Sequence, residues 1–151
     1  MRHRLTLLPL LLALGAGGAH AAQPDAAAGN NATAGVAQGL IAAAPADKAQ
    51  IVFFRPSKFA GSAFGFKVRE GENELGKLRS GKYFVALVEP GRHQYVVHSE
   101  VKDVLDLEVE AGETYYVQAS MNMGILSGRP NLAPSDEATF SGMAAKLDRV
   151  D

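Results

Sequence analysis

Residues 101–109 read VKDVLDLEV, the most regular alternation in the chain. Successive side chains of an extended strand point to opposite faces. Leu105, Leu107 and Val109 therefore share one face, and Asp106, Glu108 and Glu110 the other. This is the pattern of a strand with one side on a core and the other in water. Downstream, Ala111-Gly112-Glu113 predicts a hairpin into residues 114–121 (TYYVQASM), with Tyr115, Val117 and Ala119 on the inner face.

Working upstream from the same stretch gives more elements of this kind. Pro90-Gly91 turns the chain into residues 93–98 (HQYVVH). Residues 82–88 (KYFVALV) are apolar on both faces, which predicts a central strand. Residues 74–78 form a short strand between two turns, and residues 61–69 place Phe64, Phe66 and Val68 on one face. The first run, residues 50–55 (QIVFFR), is closed by Pro56. The seven strands this predicts are joined by links too short for crossover helices, so the sheets are expected to be mostly antiparallel. Two sheets packed face to face bury such faces economically. The predicted fold is all-β: a small two-sheet sandwich, transthyretin-like or immunoglobulin-like, over residues 50–121. A small open barrel shows the same alternation and is the rival.

Beyond residue 121 the alternation lapses, and Gly128, Pro130 and Pro134 predict a crossing loop. Ser135 is placed to cap a helix running to Leu147, with Asp136 and Glu137 in its first turn and Lys146 and Arg149 near its end. Phe140, Met143, Ala144 and Leu147 recur at helical spacing as its packing face. Residues 122–151 are thus read as a loop and a C-terminal helix on the domain.

The other end of the chain reads differently. Arg2, His3 and Arg4 precede the apolar run LTLLPLLLAL, and Ala19-His20-Ala21 supplies a small-x-small cleavage pattern. Residues 1–21 are predicted to be a cleavable export signal, since a run of roughly 12 apolar residues falls short of a spanning helix. Residues 22–49 are rich in alanine and glycine, have no aromatic group, and are expected to form a flexible spacer. The predicted location is a bacterial periplasm or the exterior, with no membrane insertion after cleavage.

The 151 residues carry 15 Lys+Arg against 16 Asp+Glu and no cysteine. Loss of Arg2 and Arg4 with the leader makes the mature charge more negative still. That balance argues against nucleic acid or a basic membrane-binding protein as the reading. The absence of cysteine excludes thiol nucleophiles, Fe–S clusters and thiolate zinc sites.

Five stretches together carry a family likeness: VFFRP (52–56), LGKL (75–78), GKYF (81–84), VEPGRH (88–93) and AGETYYV (111–117). In this order and spacing the chain resembles the bacterial family DUF2846 over about residues 50–121. The resemblance implies an exported protein and brings no activity, cofactor or binding residue with it. Many members look like lipoproteins, whereas this chain has no cysteine to carry a lipid. The Pro90-Gly91-Arg92-His93 piece is also similar to the start of a strand in surface-layer-associated and transthyretin-like modules, which supports the fold and supplies no chemistry.

No catalytic motif, metal-ligand spacing or cofactor loop is present in the sequence, and no catalytic residue, metal or cofactor is expected. His93 and His98 are five apart on one strand and so face opposite ways, which separates them as ligands for one ion. Arg55, at the end of the first strand, could bind an anion or close the strand edge. Lys58 lies in a polar loop that could rim a pocket. Of the adjacent tyrosines, Tyr115 is expected in the core and Tyr116 exposed, beside Thr114 and Gln118, as a platform for a sugar or peptide. Arg55, Lys58, His93, His98 and Tyr116 are therefore the candidate surface. The leading expectation is a non-enzymatic accessory module that contacts another envelope protein. A module binding a glycan or small ligand is the alternative, and a hydrolase with an unfamiliar site stands third.

Overall fold

The computed structural model describes residues 40–125 and 128–151. The predicted signal and the first part of the predicted spacer lie outside the described residues. The elements in chain order are β1 (Ala49–Arg55), β2 (Phe66–Glu70), β3 (Asn73–Leu78), β4 (Lys82–Val88), β5 (Gly91–His98), β6 (Lys102–Val109), β7 (Thr114–Met123) and β8 (Gly128–Ser135). They are followed by α1 (Glu137–Met143), a 3-10 turn (Ala144–Lys146) and the two-residue β9 (Asp148–Arg149). Two sheets form a mostly antiparallel sandwich: a five-stranded one in the order β8-β7-β1-β4-β9 and a four-stranded one in the order β3-β2-β5-β6.

β1 is the middle strand of the first sheet and is buried along its whole length. Alternation divides its side chains between two cores. Ala49, Ile51 and Phe53 face the second sheet, where they meet Phe66, Val68, Tyr95 and Val97. Phe53 stacks on Phe84 with ring centroids 5.1 Å apart and meets Tyr95 edge-on at the same distance. Gly76 makes the stacking possible: a Cβ there would lie within 2.8 Å of the Phe84 ring. Val52 and Phe54 face the opposite way, onto Ile41, Tyr83, Phe140, Ala144 and Leu147. Phe140 packs edge-on against Phe54 and Tyr83, at 5.4 and 5.3 Å. Full burial of a side chain of this size contributes about 1.5–3 kcal/mol, which is enough to hold a short helix down.

The helix layer explains one departure from the sequence reading. β4 was expected at the centre because it is apolar on both faces, yet it lies between β1 and the short β9. Its two apolar faces meet the sandwich core through Phe84 and the helix through Tyr83.

The expected crossing loop is a strand, β8, paired antiparallel with β7 from Tyr116↔Ser135 to Met123↔Gly128. Pro130 and Pro134 are tolerated because β8 is the sheet edge. Between them, Leu132 directs its N–H away from β7 and donates it to Asp103 Oδ2 on β6, at 2.8 Å. Pro130 and Pro134 share the parity of Leu132, so their missing N–H groups fall on the side where β7 offers no acceptor. Asp103 is thereby the tie between the edges of the two sheets.

Three boundaries also move: the helix expected to run to Leu147 ends at Met143, and a 3-10 turn and β9, which carries Arg149, follow it. Asp136, not Ser135, caps α1, accepting the Thr139 N–H at 2.7 Å. β2 begins at Phe66, not at residue 61, and leaves Phe64 in the preceding loop. The described part of the predicted spacer, residues 40–49, packs on the domain. Ile41 is buried in the outer core, the Ala42 carbonyl accepts from Gln50 Nε2 at 2.9 Å, and Ala49 already belongs to β1. Burial of Ile41 on an apolar sheet face and the Gln50 hydrogen bond together offset part of the chain entropy of ordering this segment.

Candidate functional site

Arg55 ends β1 with its side chain 3% exposed. Its guanidinium donates from Nη1 to the Phe64 carbonyl and from Nη2 to the Gly61 carbonyl, both at 2.7 Å, and lies over the Phe66 ring at 5.5 Å. Burial lowers its pKa from the usual arginine value. This residue is a clasp on the 56–65 loop, and the expectation that it forms a ligand surface is corrected: its fork is turned onto backbone carbonyls. Lys58 lies in that loop, exposed. Its backbone is held by Ser80, whose Oγ accepts the Lys58 N–H at 2.8 Å and donates to the Lys58 carbonyl at 2.9 Å.

His93 faces the sandwich side of β5 and His98 the outer side, as their odd spacing requires. The His93 ring is parallel to Tyr95, at 6.0 Å. Nδ1 meets Glu70 Oε1 at 2.5 Å and Nε2 meets the Glu89 carbonyl at 2.7 Å. Both partners are acceptors, so both ring nitrogens are satisfied only when each carries a hydrogen. Burial pulls the imidazole pKa down, but the hydrogen bonds to Glu70 and Glu89 and the Glu70 charge outweigh it, and the net direction is upward. Glu89 in turn pairs with Lys48. His93 thus joins the end of β2 to the β4–β5 turn and has no ring atom left for a ligand. Among the described residues no three His, Cys, Asp or Glu side chains converge as metal ligands.

Tyr116 is not the exposed platform expected from its polar neighbours. It is half-buried against Phe140, with centroids 5.6 Å apart, because α1 and residues 40–44 cover the outer face of the first sheet. Burial, helped by the charge of Glu137, pushes its phenol pKa up to about 12. It nonetheless borders two open cavities, of about 470 and 320 Å³, together with Thr114 and Glu137. The larger is completed by residues 41–44 and Glu113, so its polar wall is rich in hydrogen-bond acceptors.

Two features were missed by the sequence reading. The first is an exposed apolar end. β1 and β7 run parallel, so the loop after β1 and the β7–β8 connection emerge at the same end. There Phe59 is 99% exposed, Ile125 87% and Met123 69%. The Ile125 N–H donates to Glu100 Oε2, which brings the β5–β6 turn alongside. The second is a groove of about 390 Å³ on the outer face of the second sheet, lined by Lys67, Arg69, Lys77, Val96 and His98 with the backbone of Gly65 and Phe66. Phe59 could have drawn notice as a large aromatic in a polar loop. The groove is assembled from three strands and had no local signal.

The model of the family described as "Protein of unknown function (DUF2846)" matches residues 45–130. The chain belongs to the DUF2846 family. No curated protein matches it.

The DUF2846 match takes in β1 to β7, and with them Arg55, Lys58, His93, His98 and Tyr116. Ile41 and α1 fall outside it. Tyr116 thus lies within the DUF2846 span, while the groups that cover it, Phe140 among them, come from beyond. The apolar loop end and the basic groove draw their named residues from inside the span.

Proposed function

We propose that this DUF2846 domain is a non-enzymatic accessory module of the bacterial envelope, exported by residues 1–21, which contacts another envelope protein through the loop end of the sandwich. The exposure of Phe59 carries the reading. A phenyl ring left in water forgoes about 1.5–3 kcal/mol of burial, and large apolar groups gathered at one end mark a contact site. Loops held by a rigid scaffold suit recognition, and here Arg55 and Ser80 hold the loop that presents Phe59. A second reading, a glycan or small-ligand module, draws on the 470 Å³ cavity beside Tyr116, where Glu113, Thr114 and Glu137 offer hydrogen-bond acceptors.

The test is crosslinking in intact cells followed by capture of the tagged chain, against an unrelated exported protein. N-terminal sequencing of the recovered chain checks cleavage after Ala21. A specific protein partner, reduced roughly ten-fold or more by Phe59→Ser as expected for a central apolar anchor, supports the module. Capture indifferent to both Phe59→Ser and Ile125→Ser overturns the choice of surface. Capture lost only in Tyr116→Ala moves the contact to the covered face.

A further inference from the structure

We propose that the groove on the outer face of the second sheet is a binding site for a phosphate group, a role separate from the protein contact at the loop end. The argument begins with strand register. Lys67 on β2 stands directly opposite Lys77 on β3, and Arg69 opposite Val96 on β5. All four point away from the core, because Phe66, Val68 and Val97 point into it. His98 follows Val96 on the same outer face, two residues along β5.

Like charges directly opposite each other on neighbouring strands repel and destabilise the sheet. A sequence free to relieve that repulsion would place an acid at one of the two positions. The acid present is Glu74, which approaches Lys67 at 2.5 Å and Arg69 at 4.0 Å. Among the described residues Lys77 pairs with no carboxylate. Lys67, Arg69 and Lys77 border one cavity with a single acid to offset them. The surplus suits a phosphate, which carries up to two negative charges and several strong acceptor oxygens, better than a carboxylate with one. Arg69 offers a planar fork for two of those oxygens, and the lysines offer mobile point charges.

The groove is also shaped to let the cations in. Gly65 lies at its edge, and a Cβ there would sit 2.9 Å from Arg79 Cγ and 3.3 Å from Lys77 Cε. Glycine at this position leaves room for the Lys77 and Arg79 stems beside the groove. Val96 supplies an apolar floor. Lys67 and Arg69 are each nearly half-exposed, so their heads reach solvent while their stems line the wall.

The test is a two-dimensional amide NMR titration of the nitrogen-15-labelled full chain with pyrophosphate and, at matched ionic strength, acetate. Pyrophosphate should give saturable shifts confined to residues 65–69, 77 and 96–98. The dissociation constant should weaken roughly ten-fold or more in Arg69→Gln and in Lys77→Gln, as expected for loss of a charge-assisted contact. Shifts that stay linear with concentration, match those with acetate, or persist unchanged in both variants overturn the site. Lys77 is on the edge strand β3, so Lys77→Gln decides alone if Arg69→Gln disturbs the Val68 and Val97 signals. Co-sedimentation with vesicles then separates two sources of the same chemistry. Pelleting with phosphatidylglycerol but not phosphatidylcholine, lost in Lys77→Gln, places the phosphate on a lipid headgroup. Saturable pyrophosphate binding without pelleting places it on a soluble ligand.

Discussion

Replacing Arg55 by Met separates a clasp from a recognition residue. The change removes two hydrogen bonds of 2.7 Å to the Gly61 and Phe64 carbonyls and the cation over Phe66. Hydrogen bonds to a charged group contribute about 1.5–3 kcal/mol each. Two terms reduce that loss. Met no longer has to be stripped of a guanidinium's water, and the released carbonyls belong to an exposed loop where water can take them. The expected net cost is about 2 kcal/mol. For a domain of about 110 residues that corresponds to a fall in Tm of roughly 8 °C. Urea and thermal unfolding followed by circular dichroism read this directly. Cleavage by a lysine-specific protease at Lys58 should accelerate, because the loop loses its anchor. Arg55→Lys, with one ammonium in place of a fork, should fall between the two. If Arg55→Met melts within about two degrees of the parent and its Lys58 site is cut no faster, the clasp is refuted. A simultaneous loss of partner capture would then return Arg55 to the recognition surface.

Two further expectations come from the core and its rim. The Tyr95 hydroxyl is buried and meets no hydrogen-bonding group among the described residues. Tyr95→Phe should therefore leave urea stability unchanged or raise it by up to about 2 kcal/mol, and a loss of more than about 1 kcal/mol would contradict an unpartnered hydroxyl. The His93 pKa is raised in the folded state, so its stabilising contribution is complete below the unfolded imidazole value, near 6.5, and fades as pH climbs through the higher folded one. The urea midpoint should drop from about pH 6 upward through neutrality; Glu70→Gln should flatten that slope, and a slope that survives the substitution refutes the pairing.

The strands were legible where burial is one-sided. β6 alternates because one face meets the core and the other water, and period two reports that directly. The central position of β1 was not read from QIVFFR, although a continuous apolar run is the mark of a strand covered on both sides. β4 shows the same mark without being central, because one of its covers is a helix. Composition cannot say whether a neighbouring strand or a neighbouring helix does the covering. β8 was hidden by its prolines. Their cost depends on which way each missing N–H points, and that is set by the register with β7 and by Asp103, residues far away in sequence. Ile41 was hidden for a related reason, since it packs in a cluster with Phe54 and Phe140, which lie far along the chain, while most of its sequence neighbours are alanine and glycine.

The candidate site was harder to read than the fold because its determinants are sums over strands. Formal net charge is −1, and that balance argued against nucleic acid or a basic membrane-binding protein. Topology redistributes the same charges. β2 and β6 descend from the loop end while β3 and β5 rise to it, which places Lys67, Lys77, Arg79, His98 and Lys102 together at that end. The same directions carry Glu70, Glu72, Glu108 and Glu110 to the opposite end. A near-neutral chain thereby acquires one basic and one acidic pole, and a field of that form orients an approaching anion before contact. No window of sequence contains this polarity, since each strand contributes one or two charges and the turn chemistry alone reverses their direction. The loop end carrying Phe59 is at the basic pole, so a partner that buries Phe59 would approach with its acidic side first. Added salt should therefore slow capture of such a partner, while Phe59→Ser should chiefly speed its release.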